Sequence, residues 1–255
     1  MKSTPLLRNL LAALALAAGS SANAAVIAEY TFPLVSNAVS LPATQTATTV
    51  ATNVTASIFS VVGTVSPSTG FSAGYTTGST DTGSTSDFGN AFLNRAITST
   101  SRTPTTNYFS FTVTPDLGKK LNLTSLNFFY GDAQPEASPT VLNLGLYTSV
   151  DSYAAQVGST LSWSPATTLD TGTNPGYFKT SPTDVQYATL DLSGASFQNL
   201  TTATTFRIYG WDNIDTGGQL RVDDVQLNGS VVAIPEPGAA LLGGLGLLAL
   251  LRRRR

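Results

Sequence analysis

Between residues 25 and 233, apolar and polar side chains alternate in short runs with a period of two. In "YFSFTVT", Phe109, Phe111 and Val113 share one face, and Ser110, Thr112 and Thr114 share the other. In "VLNLGLYT", Leu142, Leu144 and Leu146 oppose Asn143, Gly145 and Tyr147. In "FRIYGW", Phe206 and Ile208 oppose Arg207 and Tyr209. The runs 26–32, 54–62, 121–130, 187–192, 220–227 and 230–234 are further strand candidates, bounded by Gly, Pro and Asp. About nine such strands, each with one apolar face, predict an all-β fold. The expected architecture is an antiparallel β-sandwich with one face of each sheet buried, in jelly-roll topology. Helical periodicity is nearly absent; "SVDSYAAQ", 149–156, is the one short helix candidate, with Ser or Asp as its cap. The Thr-rich run 43–57 suits late entry into a sheet. The run 76–87 has no apolar residue and reads as an exposed loop. No basic or proline-rich linker and no fixed-period repeat divides this region, so 25–233 is one domain.

One stretch breaks the alternation. In "QLRVDDVQLNG", Leu220 and Val222 have one parity and Val225 and Leu227 the other. A regular strand cannot bury all four. A β-bulge at Asp223-Asp224 repairs the conflict and sets two adjacent carboxylates where the strand bends.

The two ends follow other rules. Lys2 and Arg8 precede nine apolar residues, 10–18, and then Ala22-Asn23-Ala24. This is a secretory signal peptide, 1–24, with a short helix and an A-x-A cleavage site at Ala22 and Ala24. The apolar run falls short of the roughly 20 residues a membrane span needs. At the other end, 234–255, Pro235-Glu236-Pro237 is followed by 14 uncharged, mostly apolar residues and then by Arg252, Arg253, Arg254 and Arg255. That segment predicts a C-terminal hydrophobic helix of marginal spanning length. The terminal arginines would stay cytoplasmic, with the body outside.

Charge sharpens this division. The whole chain carries −2, but residues 25–233 hold seven cations against fourteen acidic residues, a net charge of −7. An acidic body without a basic patch argues against nucleic acid as a partner. The chain has no Cys and no His. Disulfides are therefore excluded, as are the usual zinc, copper and haem ligand sets and Ser-His-Asp or Cys-His catalysis. Glu29 and Glu136 are the two Glu of the body. Glu136 lies with Asp132 in a Pro-containing turn of ordinary kind. There is no G-x-S-x-G elbow and no phosphate-binding glycine loop. The expectation is a protein that is not an enzyme.

The tail resembles the PEP-CTERM sorting signal: a Pro-Glu-Pro motif, a short apolar helix and a terminal arginine cluster, in order, in a chain with a signal peptide. The resemblance covers the last 22 residues. It implies a Gram-negative bacterium, an exosortase-type membrane enzyme that recognises and removes the tail, and association with exopolysaccharide and biofilm. The anchored form would be an inner-membrane intermediate on the way to the outer surface or extracellular matrix. A permanent tail anchor is the other reading.

The body resembles exported carbohydrate-binding-module jelly rolls in its "IAEYTF" and "RVDDVQL" strands. In such modules the acidic residues of these strands can line a structural calcium site, which here would use Glu29, Asp223 and Asp224 with backbone carbonyls completing the oxygen shell. The ordinary alternative leaves Asp223 and Asp224 exposed or paired with Arg221 or Arg207. For sugar rings, Trp211 and Trp163 are the only tryptophans, and Tyr130, Tyr147, Tyr177 and Tyr209 lie in or near strands. Trp211 opens the Gly-rich loop "GWDNIDTGGQ"; the alternative role for it is to cover the end of the core. Function then divides three ways. The first is a sorted, non-enzymatic envelope or matrix protein. The second is a specific carbohydrate-binding module. A polysaccharide hydrolase is a distant third.

Overall fold

The structure is a computed structural model that describes residues 24–31, 44–62, 70–72, 91–97, 108–132, 142–163, 186–212 and 218–235, with the isolated positions 246 and 252. For residues 70–72, 91–97, 131–132, 142, 163, 212 and 218–221 the backbone alone is described. The expected runs fall in strands, the runs 220–227 and 230–234 merging into one, and the strands at 70–72, 91–97 and 157–163 are additional: β1 Ala25–Tyr30, β2 Thr44–Gln45, β3 Thr49–Val50, β4 Val54–Ala56, β5 Phe59–Val62, β6 Gly70–Ser72 and β7 Ala91–Ile97. They continue as β8 Tyr108–Pro115, β9 Lys119–Asp132, β10 Leu142–Thr148, β11 Val157–Trp163, β12 Gln186–Asp191, β13 Thr204–Asp212 and β14 Gly218–Ala233. Two single-turn 3₁₀ helices, η1 Ser149–Asp151 and η2 Ala195–Phe197, sit in connections.

All pairings among the described residues are antiparallel, and the strands form two sheets. The first runs β12-β9-β14-β1-β3, with β7 also on β14 and β6 on β7. The second runs β11-β10-β13-β8-β5-β2, with β4 also on β8. Between successive described strands the chain switches sheet nearly every time; only β4 to β5, β6 to β7 and β10 to β11 stay in one sheet. The first strand pairs with the last. A chain that keeps crossing the sandwich, with its ends side by side, winds as a jelly roll does, in keeping with the expected topology.

The core lies between the sheets, where the period-two pattern places it. Phe109, Phe111 and Val113 of β8 are buried, as are Phe206 and Ile208 of β13, and Leu144 and Leu146 of β10. From the first sheet come Ile27, Tyr30, Leu121, Leu123, Leu126, Phe128, Val222, Val225 and Leu227. Rings bridge the layers where Tyr30 of the first sheet packs 5.4 Å from Phe59 and 5.2 Å from Phe111 of the second, and within the second sheet Phe111 stacks on Phe206 at 4.9 Å. These are favourable tilted and offset aromatic separations. The Tyr30 hydroxyl satisfies itself by donating to the Ser57 carbonyl at 2.7 Å, and burial pushes this phenol well above its ordinary pKa.

Three local expectations change. The run 54–62 is two strands, not one, because the Ser57 hydroxyl takes the Thr112 N–H at 2.9 Å and the ladder breaks there, leaving Ile58 exposed. The run 43–57 contributes three short strands that alternate between sheets. The helix expected over 149–156 is cut to η1, because Ser152 and Tyr153 both take left-handed backbone, φ 60° and 62°. The signal peptide apart from Ala24, the loop 76–87 and nearly all of the C-terminal helix lie outside the described residues. Among the described residues no helix is long and apolar enough to cross a membrane.

Candidate functional site

The second sheet buries more than its inner face. On its outer face, strands β8, β13 and β10 lie side by side, and each carries a tyrosine at an outward parity. Tyr209 stands directly across from Tyr108 on β8 and from Gly145 on β10. Tyr108 and Tyr209 are 4.9 Å apart, and Tyr147 meets Tyr209 edge-on at 5.4 Å. All three are buried, with Tyr209 only 1% exposed. They form a second apolar cluster, against which Tyr153 and Trp211 pack half-buried. Gly145 leaves space beside them for the Gln156 side chain, whose Oε1 would lie 2.8 Å from a Cβ at this position. Gln156 Oε1 in turn accepts from the Tyr147 hydroxyl at 3.3 Å and so fixes that ring.

Arg207 occupies the middle of this face. Its Cζ lies 3.7 Å from the ring centroid of Tyr153 and 4.6 Å from that of Tyr108. The guanidinium is therefore within cation–π reach of two aromatic rings. Its Nη1 donates to the Tyr209 hydroxyl at 3.4 Å. Its Nε is buried and has no hydrogen-bond partner. No carboxylate among the described residues pairs with it. Burial opposes the charge, but the Tyr209 hydrogen bond and the phenols of Tyr108, Tyr153 and Tyr209 outweigh it, and the pKa stays above its ordinary value. The left-handed pair Ser152-Tyr153 is what turns the Tyr153 ring back onto the sheet. The Tyr153 N–H is tied to the Thr148 carbonyl at 2.8 Å, and Asp151 Oδ2 accepts the Ala155 N–H at 2.8 Å.

The residues singled out from the sequence divide between this face and the opposite one. Trp211 has the parity of Arg207 and Tyr209 and flanks the tyrosine cluster, so it does not cover the end of the inter-sheet core. Tyr130 is a core residue whose hydroxyl donates to Gln186 Oε1 at 2.6 Å. The backbone of Trp163 pairs with Leu142 at the edge of the second sheet; its side chain and Tyr177 lie outside the described residues.

Glu29, Asp223 and Asp224 belong to the first sheet. The register of β14 on β9 advances from Asp223 opposite Phe129 to Gln226 opposite Asn127, which inserts one extra residue. The bulge is thus where the parity conflict required it, with Asp224 at φ 46° and Asp223 Oδ1 accepting the Asp224 N–H at 2.8 Å. Val222, Val225 and Leu227 all reach the core as a result. Asp223 is fully buried. Glu29 stands opposite Gln226, and its two oxygens accept from Gln226 Nε2 and Thr49 Oγ1, both at 2.9 Å. Among the described residues no three acidic side chains group in a way that could hold a metal ion. Arg207 is not the partner of the Asp pair, because the alternation of β13 sends it to the outer face of the other sheet. The side chain of Arg221 lies outside the described residues, as do Ala22, Glu236, Pro237 and Arg253 to Arg255; Ala24, Pro235 and Arg252 are exposed.

Sequence reasoning named Tyr147, Tyr209 and Trp211 but missed Tyr108, Tyr153 and Arg207 as their companions. The signal for Tyr108 and Arg207 was their parity, opposite to Phe109 and Ile208. Tyr153 carried no signal, since its position depends on a backbone turn.

No protein-family model matches the chain, and no curated protein matches it. Among solved structures, it is similar to a carbohydrate-binding module specific for non-crystalline cellulose, CBM28, at 12% identity and TM-score 0.32, over 55% of this chain and 74% of that one. It is also similar to the K1 cleaved adhesin domain of Lys-gingipain from Porphyromonas gingivalis W83, at 12% identity and TM-score 0.34, over 66% and 89%. A third similarity is to promiscuous carbohydrate-binding modules of the β-sandwich superfamily, at 12% identity and TM-score 0.26, over 82% and 86%. Similarity at this level carries no argument about what the chain binds.

Proposed function

We propose that this chain is an exported, non-enzymatic β-sandwich that holds extracellular polysaccharide on the outer face of its second sheet. The observation that carries the reading is the placement of Trp211 and Tyr153, half-buried, around a buried tyrosine cluster. Aromatic rings fixed by packing lose little freedom on binding and offer an apolar face with a polar tip, which suits the C–H face of a sugar ring. Both sheets lie within residues 25–233, so that body is the unit to test. On a glycan array it should bind a defined set of polysaccharides, and Trp211→Ala should remove that binding while leaving the fold intact. Absence of binding to any glycan would overturn the reading, and turnover of a bound polysaccharide would make the protein a hydrolase.

The termini support delivery to that setting. In this reading Ala22 and Ala24 mark signal-peptide cleavage, and the tail from Pro235 to Arg255 holds the body at the inner membrane until an exosortase-type enzyme removes it. Intact-mass measurement of the protein recovered from the cell surface checks this. Loss of the terminal arginines is expected, and a mass that retains them would identify a permanent anchor.

A further inference from the structure

We propose that the face around Arg207 selects acidic sugars, taking a uronate-type carboxylate on the edge of the guanidinium while the sugar ring stacks beside it on Trp211 or Tyr153. This rests on the reading of the face as polysaccharide-binding and adds the charge of the ligand.

Arg207 stays protonated at all ordinary pH values. The rings of Tyr153 and Tyr108 both pack against its guanidinium, so a carboxylate would be taken by the Nη donors. Nε is buried without a partner, and the one hydrogen bond, to Tyr209, is long at 3.4 Å. The surrounding phenols keep the cation favoured, but no carboxylate among the described residues neutralises it, so its charge can still attract an anionic ligand. Covering the tyrosine cluster needs only an apolar stem; a Met at this position would do so without buried donors. The planar fork of an arginine matches the two oxygens of a carboxylate. The second, independent observation is the backbone: Ser152 and Tyr153 are held at φ 60° and 62°, an uncommon conformation for two consecutive residues with side chains. Its effect is to lay Tyr153 on the guanidinium and fix its orientation. The body's net charge of −7 does not prevent this, because remote charges are screened beyond about 8 Å at physiological salt and the contact at Arg207 decides.

The test is calorimetric titration of the full chain with polygalacturonate, alginate and hyaluronate, each compared with its methyl ester, which keeps the ring and removes the charge. Binding to at least one acidic polymer is expected, about tenfold or more tighter than to its ester. Arg207→Met should lose about tenfold or more, Arg207→Lys should lose less, and Trp211→Ala should weaken both forms of the polymer. Equal affinity for acid and ester, or unchanged binding by Arg207→Met, overturns the inference; if Trp211→Ala then still abolishes binding, the face remains a site for neutral glycans. Binding to none of the three acidic polymers also overturns it, and failure on neutral glycans as well removes the underlying function. Should Arg207→Met not fold, the acid and ester comparison on the unaltered chain decides.

Discussion

The Tyr153 ring lies 3.7 Å over the guanidinium carbon of Arg207, and this contact ties the turn after η1 to the middle of β13. A half-desolvated cation–π contact is worth about 1–2 kcal/mol. Tyr153→Ala should therefore lower unfolding free energy in urea by about that amount, and Tyr153→Phe should keep most of it. Equal losses in the two variants would assign the effect to the hydroxyl and not to the ring.

Gly229 is fixed by a neighbouring backbone. A Cβ there would collide with the Asn122 carbonyl oxygen and come within 2.9 Å of the Leu123 Cα, at a point where the β14 register on β9 shifts. Backbone cannot swing aside as a side chain can. Gly229→Ala should cost about 1–3 kcal/mol, read as a lower melting temperature; an unchanged melt would show that the two strands separate there at little cost.

Asp224 tests the bulge. With φ at 46°, a side chain at this position is disfavoured and glycine is not. Two variants that both delete the carboxylate isolate the backbone: Asp224→Gly should be more stable than Asp224→Ala by about 1 kcal/mol. The reverse order would mean that the bulge is not left-handed at this residue.

Calcium is best tested at Glu29. Both of its oxygens already accept hydrogen bonds, from Gln226 and Thr49. Glu29→Gln should shift the melting temperature equally with and without about 1 mM calcium. A calcium-dependent rise that this variant abolishes would assign the ion to Glu29.

Alkaline pH should weaken the fold through buried phenols. Burial raises the pKa of both Tyr30 and Tyr130 above the ordinary value of 10.0. A folded-state pKa above the unfolded one gives stability that is fully present below about pH 10 and is lost as pH rises beyond it. Urea unfolding at pH 8 and pH 11 should show the fall, at most about 1.4 kcal/mol per pH unit for each phenol. Tyr30→Phe should remove part of that slope, although it also loses the 2.7 Å bond to Ser57. A slope unchanged by Tyr30→Phe would place the alkaline loss elsewhere.

Much of the fold was legible in the sequence because strand geometry is local. Period two follows from the extended backbone alone, so the inward faces of β8, β10 and β13 could be assigned residue by residue. A parity conflict between Val222 and Val225 was enough to require a bulge, and the bulge falls where the two aspartates are. Charge and hydropathy set two terminal segments apart from an acidic body only as an expectation, since those segments lie almost wholly outside the described residues. What the sequence could not fix was which strands become neighbours. Tyr108 and Tyr209 are about a hundred residues apart in the chain, yet stand opposite each other because β8 and β13 pair. That pairing arises from non-local burial of both sheets at once, which no local period encodes. The stacking on Arg207 depended further on two consecutive left-handed residues in a turn, a backbone choice that Ser152 and Tyr153 do not announce and that packing against the sheet maintains.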